Sequence, residues 1–459
     1  MLGVHAARQP NILLIVSDDQ GWLDLGCIGT KPVLTPNRDR LAAEGVRATN
    51  FYVTWPACTP SRGSLLTGRF PQRNGLYDMI RNDLMNYGHR YTPDEYAVSP
   101  EMTLGLDVRE RAIGDALRGA GYATGIVGKW DMGQARRFLP LQRGFDFFYG
   151  HGNNGIDYYT HERYGVPSLF RGNARTEADK GTYATDIFKR EALGFIRTQT
   201  TKPWLLYLPF NAPHGASSFG KEDAASAAGR KPGERPPPEG VQVLEKYSAP
   251  YLAKGIPDPL ARYYGAVTCM DEAIGEILAT LRESGAEQDT LVIFFSDNGG
   301  SGNGGNAPLR GAKTTMWEGG LRVPFIARWP GRIPAGKVSD EFLTSLEIFP
   351  TLLAAAGAEP PHGVKLDGFD LLPVLRGEMK SPRAEMFWQR RGDKAARVGH
   401  WKWIEAEKGG GLFDLAADPG ETKDLSHEQP DVLATVKGRW EAWRKEMDAS
   451  EPRGPFRDY

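Results

Sequence analysis

"NILLIVSDD" (residues 11–19) is aliphatic at every position from Ile12 to Val16, then turns polar at Ser17, Asp18 and Asp19. A strand that is apolar along its whole length is buried on both faces, as in a parallel sheet covered by helices. Other stretches have the same form. "TGIVGKWD" (124–131) runs into Lys129 and Asp131, "WLLYLPFNAPH" (204–214) into Asn211 and His214, and "LVIFFSDNGG" (291–300) into Asp297 and Asn298. Residues 37–45, 109–122, 183–199 and 259–285 lie between them, with apolar side chains three and four apart. That spacing predicts helices. Strands alternating with helices predict an α/β fold, with a mostly parallel central sheet sandwiched by helices. Ligands of such sheets bind beyond the carboxyl ends of the strands, where all these runs place polar or charged residues.

The bulk numbers narrow the function. Lys+Arg total 56 against 57 for Asp+Glu, a formal net charge of −1 in 459 residues, which argues against nucleic acid as the main partner. No apolar run reaches the ~18 residues of a membrane helix. "MLGVHAARQPNILLIV" (1–16) enters a strand without a charged region and long apolar stretch before it. The expectation is a cytosolic chain, or a mature form without its signal peptide. Cys27, Cys58 and Cys269 are the only cysteines and include no Cys-x-x-Cys, so neither a disulfide framework nor a zinc ribbon is expected. A catalytic domain is expected over 1–375, with a loop insert over 221–240 rich in Ala, Gly, Pro and charge. Residues 376–459 read as a smaller C-terminal α+β subdomain of short antiparallel strands, closed by an amphipathic helix over 429–447.

Asp18, Asp19, Asp297 and Asn298 offer only oxygen. If they converge, three carboxylates need a cation between them, and hard oxygen donors suit Ca²⁺ or Mg²⁺. Arg62, Lys129, His214, Lys313 and Arg310 form a candidate cationic set. A divalent cation ringed by such groups suits an oxyanion such as phosphate or sulfate. In "WPACTPSRGSLLTGR" (55–69), Pro60 fits the first turn of a helix. Cys58 would then stand just before the helix N-terminus, where anions are favoured and nucleophiles activated, with Arg62 directed back at it. "GSGNGG" (300–305) fits a dinucleotide-binding pattern, but no helix pattern follows it.

"CTPSRGSLLTGR" (58–69) resembles the signature of the type I sulfatases, in which the cysteine of Cys-x-Pro-Ser-Arg is oxidised to formylglycine. "NILLIVSDDQGW", "LTPNRDRLAAEGV", "GDALRGAGYATGIVGKW", "APH", "FFSDNGG", "KTTMWEGGLRVPFIARWPG" and "LFDLAADPGETKDL" resemble the same family in the right order, over nearly the whole chain. The resemblance implies an alkaline-phosphatase-like fold, and Ca²⁺ held by Asp18, Asp19, Asp297, Asn298 and the modified Cys58. It implies that Arg62 holds the formylglycine hydrate, that Lys129, His214 and Lys313 bind sulfate, and that His214 or Lys313 protonates the leaving alcohol. One hydroxyl of an aldehyde hydrate attacks sulfur, and the second, losing its proton, then expels sulfate. It also implies a formylglycine-maturation enzyme acting on the Cys58 segment, and a periplasmic or secreted location.

The chain departs from the family at "GKWD": Asp131 stands where the family usually has histidine, and His151 or His161 could take that place. "YGHGNNGIDYYTHERYGVPSLFRGN" (149–173) is dense in Tyr, His, Asn and Arg, a composition suited to sugars. A sulfated carbohydrate is the expected substrate, with Asp131, His151, Asp157, His161, Arg163 and Arg310 as candidate contacts. Phosphonate or phosphate monoester hydrolysis on the same fold, or a non-catalytic binding homologue, are the alternatives.

Overall fold

The computed structural model describes residues 9–29, 32–220, 229, 234 and 239–450. Most of the loop expected over 221–240 lies outside them. The long strands of the main sheet are β1 (Asn11–Ser17), β2 (Val46–Tyr52), β3 (Ala123–Lys129), β4 (Phe147–His151), β5 (Trp204–Pro209), β6 (Thr290–Ser296) and β7 (Arg322–Arg328). They stand in the order β2-β7-β6-β1-β5-β3-β4 within an eleven-stranded sheet, whose short outer strands include Lys337–Ser339 and Leu169–Arg171. β1 pairs in parallel with both β6 and β5, and β3 in parallel with β5 and β4. β7 is antiparallel to β6 and to β2, which restores the direction of β2. The carboxyl ends of β1, β2, β3, β5 and β6 therefore share one edge.

Burial on both faces accounts for the uninterrupted apolar runs. Ile12, Leu14 and Val16 pack into one core cluster, and Leu13 and Ile15 into another across the sheet. The helix Asp258–Glu283 covers the second face with Met270, Ile274 and Ile277. The helix expected over 109–122 is shorter, Ile113–Gly119, because the Asp115 carboxylate accepts the Ala112 N–H (3.1 Å) and starts the helix there. Cys58 begins its helix, Cys58–Thr67, rather than preceding it; the extended cap is Ala57.

The C-terminal sheet is antiparallel, with strands Glu385–Arg390, Asp393–Val398, Trp401–Ala406 and Gly409–Asp414 in sequence order. The helix Pro430–Asp448 packs on it through Trp440 and Trp443. A buried polar knot joins this sheet to the main one. Lys402 Nζ lies 2.8 Å from Glu318 Oε1 and 2.8 Å from Glu421 Oε1. Tyr52 donates to Glu318 (2.5 Å), and Arg397 donates to the Tyr52 hydroxyl (2.6 Å). Burial pushes the Glu421 carboxyl up to about 7, with Lys402 opposing and Glu318 adding to the shift. An unfolded glutamate ionises near pH 4.5, so the folded chain holds the extra proton between there and about 7. Stability attributable to Glu421 is therefore full at low pH and falls as pH rises through that window. In Glu421→Gln, thermal melting followed from pH 5 to 8 should lack this fall, which is on the order of 1–3 kcal/mol.

Candidate active site

Each strand end delivers its polar residues to the shared edge, and backbone bonds fix the ends to one another. Asp18 N–H donates to Ala212 O (3.0 Å), and Asp297 N–H to Ser17 O (3.1 Å). At Gly128 the backbone φ is 121°, and a Cβ there would meet the Pro209 carbonyl oxygen at 1.9 Å. Only glycine lets β3 close on β5 this tightly, one residue before Lys129. Asp19, Asp131 and Thr314 take left-handed φ angles of 66°, 59° and 71° without being glycine, a strained backbone that packing must hold in place.

These segments bring Cys58 among charged groups. Its Sγ lies 3.3 Å from Asp18 Oδ1 and 3.4 Å from Lys313 Nζ. Lys129 Nζ is 2.7 Å from Asp18 Oδ2, and Lys313 Nζ is 2.8 Å from Asp19 Oδ2. Arg62 reaches Asp297 Oδ2 through Nε (2.8 Å) and Nη2 (2.7 Å), and Nη2 stands 3.7 Å from Asp18. Burial and then Asp18 push the Cys58 thiol well above its ordinary range. Burial also raises Asp19, but Lys313 and His214 outweigh it and hold that carboxyl low. For Lys129 and Lys313 burial disfavours the charge, yet Asp18 and Asp19 respectively prevail and keep both ammonium groups protonated. His214 is the opposite case: burial and Lys313 bring it down to about 3, leaving it neutral. Its Nδ1 is 2.5 Å from Gly215 O, which places the proton on Nδ1 and leaves Nε2, 3.7 Å from Asp19, as an acceptor.

Asp18, Asp19, Cys58 and His214 each present a ligand atom within 4.8 Å of the others. Asn298 Nδ2 donates to Asp19 Oδ1 (2.8 Å), while its buried Oδ1 has no hydrogen-bond partner among the described residues. An orphaned carbonyl oxygen beside crowded carboxylates fits a hard divalent cation. Asp297 adjoins this group but is engaged by Arg62 and by Asp19 N–H (3.2 Å).

The other sequence candidates separate. Arg163 lines the cavity of about 420 Å³ above Cys58, with His214, Lys313 and Asn154. Asp157 does not line it, because its carboxylate ties a turn, accepting from Tyr159 N, Thr160 N and Gln242 Nε2 (2.9, 2.8 and 2.7 Å). His161 Nε2 donates to the Thr182 carbonyl oxygen (2.8 Å), also away from the cavity. Arg310 is drawn toward the C-terminal sheet, stacking on Trp317 at 3.7 Å and bonding Glu421 O. His151 is fully buried behind the cavity, with Nδ1 at Asn153 O (2.9 Å) and Nε2 without a partner among the described residues. Sequence reasoning passed over Arg390 and Arg391, which reach the cavity from the C-terminal sheet. The only signal in the sequence was the adjacent arginine pair itself.

Asp131 is also buried and outside the cavity lining, with the Thr59 side chain beside it and Lys129 Nζ 4.0 Å away. Burial pushes its carboxyl up to about 6, against the pull of Lys129 and Arg62. The unfolded group ionises near 3.8, so ionisation costs the folded state stability as pH rises from there to about 6. Asparagine tolerates the same left-handed backbone. Asp131→Asn should therefore be more stable than the parent at pH 7.5, on the order of 1–3 kcal/mol, with the gain vanishing below pH 4 in denaturant titrations.

Comparison with known proteins agrees with this geometry. The Sulfatase family profile matches residues 10–358, and the profile for the N-sulphoglucosamine sulphohydrolase C-terminal region matches residues 312–446. N-acetylgalactosamine-6-sulfatase of Canis lupus familiaris is 33% identical over 512 residues, covering 98% of this chain and 89% of its own. Arylsulfatase A of Homo sapiens is 33% identical over 495 residues, covering 99% and 91%. The crystal structure of Ps i-CgsB in complex with k-i-k-neocarrahexaose superposes with a TM-score of 0.80 at 28% identity, covering 97% of this chain and 94% of that one. The chain belongs to the sulfatase family of the alkaline phosphatase superfamily, enzymes that hydrolyse sulfate esters.

Proposed function

We propose that this sulfatase removes sulfate from a sulfated carbohydrate, through a formylglycine made from Cys58 and a bound Ca²⁺. The observation that carries the reading is the placement of Cys58. It stands at the first turn of a buried helix, between a carboxylate and an ammonium group, on the floor of a cavity with Lys313 and His214. As a thiol it is held protonated by burial and Asp18, a poor nucleophile. Conversion to an aldehyde hydrate supplies one hydroxyl to attack sulfur and a second whose deprotonation releases sulfate. The sugar substrate is supported by Ps i-CgsB, whose structure holds a neocarrahexaose.

Asp18, Asp19 and the Asn298 carbonyl would hold the cation, with Asp297 adjoining. Bound there, it would neutralise charge on the sulfuryl oxygens. Lys313, 3.4 Å from Cys58 Sγ, and Lys129, bonded to the same Asp18 that Cys58 touches, are charged, so they stabilise the same charge as it grows in the transition state. Lys313 carries a proton and opens to the cavity, which supports it as the donor to the departing alcohol oxygen. Neutral His214, an acceptor at Nε2, orients a donor rather than supplying a proton. Arg62 secures Asp297 and faces Asp18.

The test is mass analysis of the tryptic peptide 48–62 from protein co-expressed with a formylglycine-generating enzyme. Loss of the Cys58 sulfur to an aldehyde, accompanied by turnover of sulfated sugars, is the expected result. An intact thiol, where a control sulfatase is converted, would sink the mechanism; turnover of phosphate but not sulfate esters would sink the substrate class.

A further inference from the structure

The cavity above Cys58 has a second charged region, away from the reacting groups. Its wall carries the side chains of Arg81, Arg163, Arg390 and Arg391. Their carboxylate partners mostly stand behind them. Arg163 is paired with Glu101 (2.8 Å), Arg390 with Asp393 (3.4 Å) and Arg81 with Asp83 (2.6 Å), and none of these acids lines this cavity. Among the described residues, only Asp78, 2.9 Å from Arg391, and the deep Asp19 put carboxylates on the same wall. The wall thus presents guanidinium groups inward. A guanidinium has five N–H donors, more than any of these single carboxylates can take up. Arg390 Nε is buried with no partner among the described residues, although the side chain is otherwise fixed over Trp55 at 5.7 Å.

The space does not end there. A second cavity of about 920 Å³ shares Asp78, Met79, Arg81 and Arg391 with the first and continues to Arg444 on the closing helix. The Arg390–Arg391 turn, at the tip of the first hairpin of the C-terminal sheet, stands where the two meet. Arg391 holds a left-handed φ of 53° at that tip. A ligand with its ester at Cys58 would have to pass the turn to extend further.

We propose that Arg390 and Arg391 bind a second anionic group of the substrate, a sulfate or a carboxylate on the sugar unit next to the one that loses its ester. This deepens, and rests on, the carbohydrate sulfatase reading. The substrate class is an oligosaccharide with at least two anionic groups, lying along the cleft toward Arg444. Guanidinium groups recognise both anions by paired N–H···O bonds, so the geometry selects for the anion and the assay identifies which one. Asn154, on the same wall, offers an amide to the intervening sugar.

The experiment uses the matured full-length protein and three disaccharides of one backbone: a monosulfated one, a disulfated one, and a monosulfated one with a carboxylate on the second sugar. The parent protein should show kcat/KM about tenfold higher for at least one dianionic substrate than for the monoanionic one, the size of a charge-assisted contact in a half-open cleft. That preference should weaken with added salt. In Arg390→Gln/Arg391→Gln the ratio should fall to near one, through KM rather than kcat. A merely structural role at the turn would lower all rates together and leave the ratio in place, which would overturn the proposal, as would equal kcat/KM for all three substrates in the parent protein. If the matured protein hydrolysed no sulfate ester, the carbohydrate sulfatase reading would fail by itself. Calorimetric binding of the same disaccharides to Cys58→Ala would then decide the inference: an anion-dependent gain in affinity abolished by the double substitution supports it, and equal affinities refute it.

Discussion

Cys58→Ala should lose sulfate-ester turnover by a factor on the order of 10⁴ or more, the scale on which enzymes lose rate when their nucleophile is removed. The substitution deletes one sulfur from a buried site and leaves the helix Cys58–Thr67 without a changed cap, so melting should move little. Activity and stability thereby separate. Cys58→Ser sharpens the test. A serine oxygen can take sulfate from the ester, but it lacks the second hydroxyl that expels it. The expected outcome is at most one turnover per site, with the sulfated protein visible by intact mass. Continued turnover by the serine variant would show that release needs no aldehyde hydrate.

The largest stability effect is expected at Lys402→Met. Lys402 is the cation between Glu318 and Glu421 at the junction of the two sheets, and all three are fully buried. Removing one partner of a buried ion cluster leaves uncompensated charge and costs about 3–5 kcal/mol. Denaturant unfolding at pH 7.5 should show that loss. Adding Glu318→Gln and Glu421→Gln should return a large part of it, because the penalty lies in the stranded carboxylates. A triple variant as unstable as the single one would mean that packing around Lys402, rather than its charge, holds the sheets together.

The fold was legible because burial on both faces leaves a trace in sequence: Ile12 to Val16 alternate between core clusters, yet every one is apolar. The polar residues at the ends of those strands were legible for the same reason, since parallel pairing brings the ends together. The residues of the cavity wall were less legible. Asp157 and His161 have the right chemistry, but local loop bonds capture them, and sequence carries no mark of that. Asp131 was expected among the substrate contacts, but it stands beside Lys129, behind the cavity rather than within it. Arg390 and Arg391 belong to another sheet, and their approach to Cys58 depends on how two layers dock. Docking across layers has no periodicity to read.

The complete burial of Cys58 imposes an order of events. An enzyme that reads residues 58–69 as an extended peptide cannot do so once they form a helix whose ten residues Cys58–Thr67 are all buried. For the modification proposed here, the substrate is the unfolded chain, and the time available is the folding time. That time is long in a sheet whose neighbours β1 and β6 lie 279 positions apart at the Asn11–Thr290 pair, because non-local pairing slows folding. Substitutions that speed collapse of the sheet would then shorten the interval for maturation, giving a chain that is well folded, soluble and permanently idle.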